Sequence, residues 1–130
     1  MTAEEMKLRT EQFALRIMKL VDALPKKTSA EVIGRQLLRS ATSVAANYRA
    51  ACRGRSKAEF AAKLGIVEEE ADESCFWLEM LGDSELLPAP KLQPLRKEAD
   101  ELTAIVVASI KTARINAKNP KSQICTPKSK

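Results

Sequence analysis

Four stretches of this chain each carry apolar residues on one helical face, and that periodicity restricts it to a bundle of helices. The stripes are Met6, Phe13, Ile17, Leu20 and Leu24; then Ile33, Leu37, Ala41, Val44 and Tyr48; then Phe60, Leu64, Val67, Ala71 and Leu78; then Leu95, Ala99, Leu102, Val106 and Ala113. Spacings of three, four or seven residues bring every member of a stripe to the same side of a 3.6-residue turn. A single stripe must be covered by another element, and four together make one core. With 4 glycines, 6 prolines and 5 Phe, Trp or Tyr residues in 130, the composition fits a helix-rich domain and not a β-sandwich.

The ends of the helices are written in capping chemistry. Thr2 to Glu5, Thr28 to Glu31 and Ser56 to Glu59 repeat the pattern in which a hydroxyl caps a backbone N–H and a Glu three residues on reaches back. Leu24-Pro25 stops the first helix and Gly54 the second. Helices are therefore expected over residues 3–24, 29–53, 56–82 and 91–116. Asp83 to Pro90 reads as a loop, and Pro94 is expected in the first turn of the last helix, where a missing N–H costs little. Connections this short force neighbours to run antiparallel, so the expected fold is all-α, an up-down-up-down four-helix bundle. Residues 1–116 form the domain. Residues 117–130, with four lysines and two prolines, are expected to be a disordered basic tail.

Absent residues narrow the chemistry. Without a single histidine the chain lacks the commonest general base and zinc ligand. Cys52, Cys75 and Cys125 form no CxxC pair, so neither a disulfide framework nor a zinc site is expected, and a reducing cytoplasm suits them. The N-terminus has no basic stretch leading into an apolar run, and no segment has the ~18 apolar residues of a membrane span. Di-iron bundles need Glu-x-x-His pairs, which this chain cannot supply, and Glu68-Glu69-Glu70 and Asp72-Glu73 scatter around their helix. No metal, no cofactor and no enzymatic activity are expected.

Charge is what remains to be explained. The chain is +5 overall, yet residues 25–57 hold eight basic residues and one acid, whereas residues 58–83 hold eight acids and one lysine. At about 100° per residue, Arg35, Arg39, Arg49 and Arg53 fall within an arc of about 80° opposite the second stripe, and Arg55 follows in the turn. Glu68, Asp72, Glu79 and Asp83 form a carboxylate ridge on the third helix in the same way. The arginines can grip phosphates bidentately, which is how a helix face holds RNA or DNA without reading bases. They can also meet the carboxylate ridge of a second subunit, or a protein partner, or stand solvated beside local pairs. Phe76 and Trp77 lie off the third stripe and are expected at a subunit contact with the four acids, partial burial at the bundle's edge being an equally ordinary explanation for one of them.

Other candidates read as structural. The small-residue run from Ser40 to Ala46 permits close helix approach, and Asn47 is expected to bond a neighbouring helix. Ser40 and Ser43 have no base beside them and are expected to bond their own backbone. Lys63 and the cysteines are expected to be surface and core residues.

The motif Arg39-Ser-Ala-Thr-Ser-Val-Ala-Ala-Asn-Tyr-Arg49, with Arg53-Gly-Arg-Ser-Lys-Ala-Glu-Phe60, Glu69-Glu-Ala-Asp-Glu-Ser74 and Trp77-Leu-Glu-Met-Leu81, resembles the bacterial four helix bundle protein family. That family is related to proteins encoded in intervening sequences of large-subunit ribosomal RNA genes. The resemblance spans about residues 10 to 115; Ala50 stands where an acid often follows Tyr-Arg. It implies a homo-oligomeric bundle, commonly a ring of five, without established enzymatic activity. It also carries over Arg39, Asn47, Tyr48, Arg49, Arg53 and Ser56 as motif residues. A distant relative, the accessory protein of diversity-generating retroelements, is a basic pentamer that binds nucleic acid and its reverse transcriptase.

Overall fold

Thr2 opens the first helix, α1 (Ala3–Asp22), by the expected reciprocal device: its hydroxyl accepts from the Glu5 N–H at 3.1 Å while its own N–H donates to the Glu5 carboxylate at 2.7 Å. The structure, a computed structural model, describes residues 1–117. Three further helices follow: α2 (Thr28–Cys52), α3 (Lys57–Asp83) and α4 (Ala89–Ala117). The basic tail and Cys125 lie, from Lys118 on, outside the described residues.

The other starts depart from the expected box. Before α2 the cap is Lys27, whose carbonyl takes the Glu31 N–H, so Thr28 is already helical and its hydroxyl caps nothing. Ser56 does cap α3, accepting from the Glu59 N–H at 3.0 Å, but the Glu59 carboxylate reaches one residue further back to the Arg55 N–H. In the turn before it, a side chain on Gly54 would stand 3.1 Å from the Ala51 carbonyl oxygen and 3.2 Å from the Phe60 nitrogen. The end of α3 closes by a 6→1 bond from Leu86 N–H to the Leu81 carbonyl and a 5→2 bond from Glu85 to Gly82. Glu85 takes the left-handed position, φ 61°, that glycine usually fills there. Helix α4 begins two residues earlier than expected, which puts Pro94 in its second turn.

All of the α2, α3 and α4 stripe residues are buried, and in α1 Met6, Phe13 and Ile17 are buried while Leu20 and Leu24 are half-buried. Helix α3 is packed along its length between α2 and α4, whereas α1 lies along α2 and meets α4 over a short stretch. The diagonal pairs, α1 with α3 and α2 with α4, bring no two Cα atoms within 8 Å among the described residues. This is the all-α up-down-up-down bundle that the periodicity demands. Two polar features in the seams were not expected. The buried hydroxyls of Ser40 and Ser74 meet at 2.9 Å between α2 and α3, and Ser40 also donates to the Leu37 carbonyl. Arg9 ties α1 to α4 with a fork, its Nε and Nη2 donating to Glu98 at 2.7 and 2.8 Å and Nη2 also to Glu101 at 2.5 Å.

Neighbouring positions in α3 should respond to mutation with opposite signs. Leu64 is fully buried, and Leu64→Ala is expected to cost about 2–5 kcal/mol in a urea melt. A side chain on Gly65 would meet nothing within 4 Å, so Gly65→Ala is expected to raise stability by about 0.5–1 kcal/mol through helix propensity.

Candidate nucleic-acid and assembly interface

The basic face is built on the outer side of α2. Arg35, Arg39, Arg49 and Arg53 are all exposed there, as is Arg55 in the turn that follows. They do not form one uniform ridge. Arg39 is drawn onto α3, where its Nη1 lies 3.2 Å from Glu70 and its Nη2 pairs with Glu73, while its Nε donates to Gln36 at 3.2 Å. Among the described residues, Arg35, Arg49, Arg53 and Arg55 make no ion pair. Arg49 and Arg53 overlook a groove shared with Glu4, Glu5, Lys7, Leu8 and Glu11 of α1. Arg35 lines a separate hollow at the other end of α2, with Asp22 and Lys26.

The acids that hold Arg39 are not those of the expected carboxylate ridge. Glu70 and Glu73 flank α3 toward α2, and Glu73 also accepts the Trp77 indole N–H at 2.9 Å. That bond, followed by the one from Arg39, holds the Glu73 carboxyl below its usual range, and Glu73 in turn raises the Arg39 pKa. Trp77 is half-buried by this network. Phe76 packs edge-on against it with ring centroids 4.8 Å apart, and remains 48% exposed.

Of the expected ridge, Glu79 faces α4, with Arg96 at 3.8 Å, while Asp72 and Asp83 are exposed and Glu68 is half-buried. Beside Glu79, the Cys75 thiol donates toward Asp100 at 3.4 Å and Glu79 at 3.6 Å. Burial, with these two carboxylates, pushes that thiol up to about 12, so it stays protonated. Asn47 corrects another expectation: its amide donates to the carbonyl and hydroxyl of Ser43, on its own helix, at 2.9 and 2.8 Å. Among the described residues no group of three or more His, Cys, Asp or Glu side chains could hold a metal ion, and no helix is long and apolar enough to cross a membrane.

With this geometry in hand, similarity to known proteins becomes decisive. The sequence pattern of the 23S rRNA-intervening sequence proteins matches residues 5–108. The chain belongs to that family. The fold is similar to that of a crystal structure of a protein of unknown function from the S23 ribosomal protein family of Bacteroides thetaiotaomicron, with a TM-score of 0.79 and 32% identity. The similarity covers 85% of this chain and 99% of that one. No curated protein matches the chain.

Neither the Arg39–Glu70–Glu73–Trp77 network nor the protonated Cys75 is visible as such in the sequence. The signal for the first was present, since Trp77, Glu70 and Glu73 share a side of α3, but its partner on α2 was not. Two measurements check these assignments. A carboxylate lowered in the folded state gives stability that is present above its unfolded pKa and lost as pH falls through the folded one. Emission of Trp77, the single tryptophan, is therefore expected to change in acid with a midpoint below the ordinary glutamate range, and Glu73→Gln to abolish that transition. At pH 8, Cys75 is expected to be alkylated by iodoacetamide on the order of a hundredfold more slowly than a free cysteine peptide, read by mass spectrometry.

Proposed function

We propose that this chain is a non-enzymatic, self-associating four-helix bundle that holds the sugar–phosphate backbone of RNA or DNA on its basic face. The observation that carries this reading is the state of Arg35, Arg49, Arg53 and Arg55: exposed and, among the described residues, without an ion pair, although the adjoining helix is rich in acids. Guanidinium groups in that state donate their N–H groups to phosphate oxygens at little desolvation cost, and their spread along α2, about 27 Å from Arg35 to Arg53, suits a backbone track. Membership of a family named for 23S rRNA intervening sequences makes RNA the first probe. A ring of five subunits, as the family resemblance implies, multiplies a weak phosphate site by avidity. The cytoplasm, where RNA and reduced cysteines coexist, is the compartment this reading requires.

A second reading is an adaptor that binds a protein partner and no nucleic acid. The large apolar side chains left exposed at Leu8, Leu15 and Phe76 favour it.

Salt separates the two. Anisotropy of a labelled single-stranded RNA is expected to report binding that falls log-linearly with salt, and Arg35, Arg53 and Arg55→Gln together should flatten that slope by about 2, at ~0.7 per phosphate. No binding at low salt would remove the nucleic-acid reading and leave the adaptor.

A further inference from the structure

Arg39 stands apart from the other arginines of the basic face because α3 already occupies it. Its Nε donates to Gln36 at 3.2 Å, its Nη1 to the Glu70 carboxylate at 3.2 and 3.5 Å, and its Nη2 to Glu73. A forked grip on phosphate needs parallel N–H groups on two neighbouring nitrogens, and here each of the three nitrogens serves an acceptor of the protein. Charge acts in the same direction. Two carboxylates against one guanidinium leave the cluster net negative, which repels an approaching phosphate.

The acids are fixed and the arginine is not. Glu73 is anchored from its other side by the Trp77 indole N–H at 2.9 Å, and the Trp77 ring is braced by Phe76. The Glu70 side chain is 19% exposed, whereas that of Arg39 is 48% exposed and reaches over from the neighbouring helix. An exposed ion pair of this kind is weak, so Arg39 is the member that swings outward once the attraction is removed. Its place on α2 gives that movement a consequence. Arg39 is the only basic residue between Arg35 and Arg49, which stand about 21 Å apart along the helix axis, and it lies about 6 Å along from Arg35. While α3 holds it, the arginines that make no ion pair among the described residues fall into two groups, Arg35 toward one end of α2 and Arg49, Arg53 and Arg55 toward the other.

We propose that Glu70 and Glu73 form an autoinhibitory clamp that withholds Arg39 from the phosphate face. The inference rests on the phosphate-binding reading above and adds its regulation. The clamped face takes a nucleic-acid backbone at two separated places, and release of Arg39 joins them by one more phosphate contact. Loss of charge at the two carboxylates releases it, since the remaining bond to Gln36 leaves Nη1 and Nη2 open to a phosphate. Trp77 takes part only by holding Glu73 in place.

A salt series with labelled single-stranded RNA tests the clamp on four forms of the full chain: the parent, Arg39→Gln, Glu70→Gln with Glu73→Gln, and all three together. The parent and Arg39→Gln are expected to share one slope of log affinity against log salt, because the clamped arginine holds no phosphate. The double variant is expected to bind more tightly with a slope steeper by ~0.7, the increment of one further phosphate, and the triple variant to return to the parent slope. Glutamine keeps an oxygen for the Trp77 indole, no substituted side chain is fully buried, and circular dichroism checks that each form keeps its helices. A flatter slope for Arg39→Gln alone overturns the clamp, since Arg39 would already be holding phosphate. So does a double variant with the parent slope, or a gain that survives in the triple variant, which would come from the lost acids and not from Arg39. A parent that fails to bind at low salt removes the phosphate reading itself, and the clamp with it; a parent that binds while the double variant gains nothing removes the clamp alone.

Discussion

Burial of α3 between two neighbours is the constraint on which the rest of this structure depends. Leu64, Val67, Ala71 and Leu78 are fully buried, and the helix touches α2 and α4 along its whole length while α1 stands off on the far side of α2. Because both flanks of α3 are covered, both take part in polar contacts. Toward α2 these are the Ser40–Ser74 pair and the acids that hold Arg39; toward α4 they are Glu79 with Arg96 and Cys75 with Asp100. Only the outermost face of α3 is left to solvent.

That partial internal pairing shapes the electrostatics. A chain that segregates seven excess positive and seven excess negative charges onto consecutive helices could have neutralised itself across the α2–α3 seam. The antiparallel packing permits this only at Arg39, the one arginine of the five that faces α3 carboxylates within reach. The others project over α1 or beyond the helix end, and Asp72 and Asp83 project outward from α3. Exposed pairs of this kind add little stability, so the unmatched charges bear on what the molecule meets more than on how it folds. The weak attachment of α1 to α4 follows the same pattern: one forked arginine, Arg9, ties them where apolar contact is sparse.

Capping and hydroxyl positions show how far local rules reach. The Thr2 box forms as a purely local device, complete within four residues. The equivalent at Thr28 does not, because the chain leaving Pro25 lets Lys27 offer its own carbonyl to Glu31 before the threonine can act. Asn47 finds Ser43 one turn away on its own helix, so it has no need of a neighbour. At Glu85 the Schellman bonds form without glycine, inside the stretch from Asp83 to Pro90 that reads in sequence only as a loop.

By itself the sequence determined the number of helices, their order, their antiparallel connection and nearly all of the core, because hydrophobic periodicity and backbone stops act within one helix turn of the residues that encode them. It also determined that the chain has no histidine chemistry and that its charge is divided between two helices. Only the tertiary structure decided which carboxylates meet Arg39, that Cys75 sits protonated between Glu79 and Asp100, and that Arg9 bridges α1 and α4. The reason is geometric. A side chain's partner depends on the rotation and offset of two packed helices, which are set by how the whole core interlocks and leave no periodic trace in either helix alone.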